Sequence, residues 1–166
     1  MALPEALTFP NPVNEVSARL VAAGVVLMTI AVLAGQHWVL VPLAYGFVAR
    51  LAAGPRFSPL GLLVTKVITP RLPVEPKLVP GPPKRFAQGI GAVLSVSALL
   101  SWAVFDNTTV ALVLVAAITV AATLESVFAY CLGCKVFAAL MRAGIIPPEV
   151  CEACNDLSRR PAAVLR

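Results

Sequence analysis

Apolar residues run almost unbroken through four stretches of the chain, at about 16–35, 37–53, 86–105 and 109–132, with polar residues collected between them. A helix needs about 20 apolar residues to cross a bilayer. Three stretches reach that length, and the second, which contains Pro42, falls slightly short. The connections near 35–37 and 106–109 are tight turns. The pattern predicts an all-α membrane protein with four transmembrane helices arranged as two antiparallel hairpins. Residues 1–132 form that domain, and residues 133–166 form a short helical, cysteine-rich tail. The first stretch is not a cleavable leader: it is too long, and residues 1–15 contain no Lys or Arg.

Composition agrees. Hydrophobic residues make up 59% of the 166, charged residues only 13%, and mean hydropathy is +0.89. A soluble domain carries roughly 25% charged residues. Disorder needs low hydrophobicity and high charge, and four cysteines are too few for a secreted disulfide scaffold.

The net charge of +5 changes the picture only when its carriers are placed. All 13 Lys and Arg fall on one side of the predicted bundle: Arg19, Arg50, the loop 54–85 and the residues after the fourth stretch. Basic residues mark cytoplasmic loops, so both termini and the loop are expected in the cytoplasm, with basic side chains meeting anionic inner-leaflet lipids. No interleaving of aromatic and basic residues points to nucleic acid.

The loop 54–85 holds eight prolines and is not one long helix. Within it, Ser58 can cap and Pro59 fits a first helical position. Leu60, Leu63, Val64, Val67 and Ile68 then follow helical spacing. This short helix either lies on the inner leaflet or packs under the bundle. Residues 70–83 read as an extended strap. Ala87, Gly91 and Ser95, four apart, predict close packing inside the bundle.

The cysteines are paired. Cys131 and Cys134, then Cys151 and Cys154, give C-x2-C-x16-C-x2-C, a spacing that fits a four-thiolate zinc site. The segment Lys135–Arg142 reads as a helix ended by Gly144, which would fold the second pair back onto the first. A reducing compartment disfavours stable disulfides, leaving zinc or a cycling dithiol such as Cys131 with Cys134. A helix N-terminus favours thiolate. Cys151 lies near one, whereas Cys131 is expected at the end of the fourth helix, the unfavourable end.

Glu125 lies inside the fourth stretch, where ionisable groups are costly and either paired or functional. Arg19 or Arg50 is its expected partner in an intramembrane ion pair; a proton or quinone-head role is the functional reading. Six residues set Glu125 about 120° from Cys131 around the helix, so the two do not share a face. The lone histidine, His37, falls on the outer turn. No hydrolase triad, phosphate loop or nucleotide fingerprint is present.

Several pieces together resemble a known family. They are Phe9-Pro10-Asn11-Pro12-Val13-Asn14, Arg56-Phe57-Ser58-Pro59-Leu60, Pro83-Lys84-Arg85-Phe86-Ala87, and Leu124-Glu125 followed by Cys131-Leu132-Gly133-Cys134-Lys135. They resemble the bacterial membrane proteins grouped as domain of unknown function 4395. The resemblance implies a multi-helix domain of the bacterial inner membrane without an assigned activity. Its neighbourhood with sulfurtransferase or thioredoxin-like genes implies sulfur or thiol chemistry and such a protein as partner. It also places Cys131 and Cys134 in the shared motif and Cys151 and Cys154 in a variable tail. A looser architectural likeness is to four-helix membrane thiol–quinone oxidoreductases. Two functions follow: a zinc-bearing protein that docks a partner without catalysis, or a thiol–disulfide oxidoreductase or sulfur relay using the CxxC pairs.

Overall fold

The computed structural model describes residues 9–151. A two-residue strand, β1 (Val13–Asn14), leads into α1 (Glu15–Leu33). After a short 3-10 turn come α2 (Leu40–Ala53), α3 (Pro59–Leu63), β2 (Leu78–Val79), α4 (Gly81–Ala103), α5 (Thr108–Phe128) and α6 (Leu132–Arg142). Four helical stretches are long and apolar enough to cross a membrane: Glu15–Leu33, the composite His37–Arg71, Gly81–Ala103 and Thr108–Phe128.

α5 and α4 form a packed antiparallel pair, with α1 against α5 and α2 against α4. α1 and α2 pack far less against each other than against α5 and α4 respectively. Ser58 caps α3 by accepting from Gly61 N–H, and Pro59 starts it, as the sequence predicts. It packs against α1 and α2. The Leu60 side chain sits against Gly24 of α1, and the α2 residue Tyr45 donates to Phe57 C=O just ahead of α3. Val64, in the π-helical turn that follows, is fully buried.

The core consists of Val25, Val32, Leu40, Leu43, Phe47, Ala92, Ala98, Val115 and Ile118 with their neighbours. Bulky apolar residues such as Leu27, Val48, Val93, Val113 and Val120 point outward, which is compatible with a multi-pass membrane protein. Hydroxyls inside the helices turn back on their own backbone: Thr119 to Val115 C=O, Thr123 to Thr119 C=O and Ser95 to Ala92 C=O. Such bonds satisfy each hydroxyl within its own helix.

At the end carrying the basic residues, β1 and β2 pair antiparallel, Val13 opposite Val79. Lys77 clamps the ladder to Glu15 at 2.7 Å. The strap is thus extended at Leu78–Val79 but stops before Gly81, where α4 begins. Proline is tolerated in a first helical turn because its missing N–H has no partner there anyway, so Pro82 and Pro83 open the helix. Asn11 accepts from Gly81 N–H, and a Cβ on Gly81 would lie 2.6 Å from Pro10 C=O. The Phe9–Asn14 segment is therefore a clamp over the start of α4.

Candidate functional site

α5 ends earlier than its apolar run implies. Ala129 adopts a left-handed conformation (φ 55°), and its N–H and that of Tyr130 both return to Leu124 C=O. The chain reverses there, and Cys131 becomes the N-cap of α6. This corrects the expectation for Cys131: it stands at the N-terminus of an 11-residue helix, not at the end of the fourth. Its Sγ accepts from Cys134 N–H at 3.3 Å. Exposed amides and the helix dipole there stabilise negative charge on sulfur. Apolar periodicity cannot register such a break, since a left-handed alanine leaves no mark in composition.

Cys131 and Cys134 are joined as a disulfide, with Cα atoms 5.2 Å apart. Cys131 is buried (8% exposed) and Cys134 half-buried. The residue between them that matters for packing is Gly133. A Cβ there would lie 2.6 Å from Ala87 Cα and Cβ, so α6 approaches α4 as closely as it does only with glycine at this position. Phe137 of α6 meets Phe86 of α4 at 5.6 Å between ring centres. Lys135 lies 5.4 Å from the Tyr130 ring.

The partner of Glu125 is Lys84, at 2.5 Å, with side chains 18% and 10% exposed respectively. It is neither Arg19 nor Arg50. Arg19 donates to Ser126 and Val127 C=O, closing the open carbonyl end of α5. Arg50, 5% exposed, donates from Nε to Gln88 Oε1 at 3.0 Å and from Nη1 to Ser58 Oγ at 3.1 Å, and lies over the Phe47 ring. The sequence pattern places Lys84 in the loop 54–85. The early start of α4 puts it in the first helical turn, facing α5. Gly91 packs against Phe47, so the small residues of α4 serve contacts inside the bundle, as expected.

Two cavities meet at the disulfide. One, of about 290 Å³, lies among α1, α2, α4, α5 and α6. Small apolar residues line it, together with Arg50, Gln88, Glu125 and Cys131. The other is a cleft of about 590 Å³ at the basic end, lined by Lys84, Tyr130, Cys131, Cys134, Lys135 and Arg142 among others. Cys131 borders both, and Cys134 borders only the cleft. A larger apolar groove, about 970 Å³, runs along α4 past Phe9, Phe86 and Val150 and touches neither cysteine.

Of the second cysteine pair, Cys151 is buried in a 3-10 turn, Pro148–Cys151, that packs against α4. Cys154 lies outside the described residues. Among the described residues, no three His, Cys, Asp or Glu side chains gather as a metal-ligand group. His37, at the opposite end, faces Trp102 at 5.9 Å.

The pieces of sequence that carried the resemblance converge here. Asn11 holds Gly81, Ser58 holds Arg50, Lys84 holds Glu125, and Ala87 receives Gly133 beside the disulfide. No curated protein and no solved structure matches the chain. The family model described as domain of unknown function (DUF4395) matches residues 13–142, and the chain belongs to that family.

Proposed function

We propose that this chain is a multi-pass membrane thiol–disulfide oxidoreductase with Cys131 and Cys134 as its redox pair. The 13-to-0 split of basic residues supports a cytoplasmic position for the loop 54–85, both termini and the cleft. One observation carries the reading: the two sulfurs are bonded at a helix N-terminus, with unequal access to two cavities.

The chemistry follows from that inequality. A thiolate from a partner enters the cleft and attacks the accessible sulfur, Cys134 Sγ. The S–S bond breaks, a bond forms between the partner's sulfur and Cys134, and the electron pair leaves on Cys131 Sγ. Exchange is faster when the leaving thiolate is the more stable one. Cys131 is that leaving group, held by Cys134 N–H and the α6 dipole. The partner's second thiol then displaces Cys134, leaving an oxidised partner and a reduced CxxC. Lys135 and Arg142 around the cleft, where Glu15 and Lys84 are each held in an ion pair, favour an incoming thiolate and an acidic partner surface.

Mass mapping after brief exposure of the purified oxidised protein to glutathione, quenched with an alkylating agent, tests the roles. Glutathione is expected on Cys134 and the alkyl group on Cys131. Glutathione on Cys131 instead reverses the roles. No adduct, with one zinc per chain and all four cysteines protected from alkylation, replaces this reading with the zinc site that the spacing also fits.

A further inference from the structure

We infer that the cavity inside the bundle binds the ring of a lipophilic quinone, the two-electron acceptor that returns the reduced CxxC to its disulfide. The inference rests on the redox reading above and names what the second cavity is for. Exchange at the cleft leaves two thiols at 131 and 134, and turnover needs an acceptor that reaches Cys131 from its other side. That side is the cavity.

Its walls define the acceptor. Ala18, Ala22, Ala117 and Ala121 are small and apolar, which leaves a slot between helices. Ile90, Ala117, Leu132 and Val136 are exposed residues of the same lining, so the slot opens outward between apolar side chains of α4, α5 and α6. Such a mouth favours a lipophilic molecule. Inside, Arg50 and Gln88 present N–H donors and Glu125 a carboxylate, and apart from Cys131 the remaining lining is apolar. Arg50 Nε holds Gln88 Oε1, which leaves the Gln88 amide hydrogens as donors. Carbonyl oxygens on a flat ring match such donors, and few well-placed polar groups in an apolar pocket are the usual means of orienting a small ligand. At about 290 Å³ the cavity takes a ring head and leaves an isoprenoid-type tail to pass out through the apolar opening.

The step balances without a further reagent. The S–H bonds of Cys131 and Cys134 break and one S–S bond forms. Two electrons and two protons pass to the quinone, whose two carbonyl oxygens become the hydroxyls of the quinol. Glu125 borders the cavity while its ion-pair partner Lys84 borders the cleft, so the pair spans the route by which a thiol proton reaches the ring.

The test uses full-length protein in lipid nanodiscs, reduced, desalted and kept without oxygen. Decylubiquinone, whose ring has no free position for thiol addition, is added, and its absorbance and the return of the disulfide are followed together. One quinone reduced per disulfide formed is expected. Ala121→Phe, which fills the slot, should slow that reaction at least tenfold while glutathione exchange at Cys134 stays within twofold. Ala18→Leu obstructs the same slot from α1 and should do likewise. Normal glutathione exchange without quinone reduction, or full quinone reduction in both obstructed variants, overturns the quinone site and leaves the exchange chemistry standing. Absence of glutathione exchange in the unaltered protein overturns the reading beneath it.

Discussion

At the basic end of the bundle, Arg50 bridges Ser58 and Gln88, Lys84 meets Glu125, Arg19 closes α5, and a two-strand ladder ties the loop to α1. Among the described residues, the opposite end has no comparable web. There Asn107 caps α5 by accepting from Val110 N–H, Gly35 turns the chain with φ 99°, and His37 leans on Trp102. Trp38 and Phe105 are largely exposed. Both ends join helices, yet one does so with a few turn residues and the other with charges brought from four separate stretches of sequence. Joining helices needs only the turn. The buried charges at the basic end carry a desolvation cost that connection alone does not explain, and Arg50, Glu125 and Lys84 line the cavities that Cys131 borders.

The sharpest way to break this contrast is Glu125→Gln. It leaves the Lys84 ammonium without its counter-ion, a loss of about 3–5 kcal/mol for a buried pair. Thermal unfolding in detergent should show it, and the double variant Lys84→Met/Glu125→Leu should recover most of the loss. A single variant as stable as the parent would mean that the pair is not buried in solution. Next comes Gly133→Val, which forces α6 off Ala87 at about 1–3 kcal/mol. Glutathione exchange at Cys134 should change with it, because the cleft and cavity walls separate; unchanged exchange kinetics would detach α6 packing from the site. At the far end, Asn107→Ala should cost about 1 kcal/mol for the lost cap and leave cysteine reactivity untouched. A changed exchange rate there would erase the distinction between the ends. Smallest is Val113→Leu on the outward face of α5, expected within about 0.5 kcal/mol of the parent, read from the same melting curves.

Hydrophobic pattern alone located all four apolar helices, because the length of an apolar run and the spacing of its interruptions are properties of the chain itself. The Ser58–Pro59 start of α3 was equally legible, since cap and proline act within one turn. The single-sided charge distribution also needed no coordinates. What sequence could not supply were the partners. Lys84 looked like a loop residue, and its place beside Glu125 depends on α4 starting at Gly81 and packing antiparallel to α5. The N-cap position of Cys131 depends on one left-handed residue, Ala129, stabilised by the reversal it makes. The contact of α3 with α1 depends on Leu60 reaching Gly24. Local rules act over a few residues and so are written in order along the chain. The ion pair, the disulfide's two-sided access and the cavity arise where four helices meet, and only their packing decides which side chains share that space.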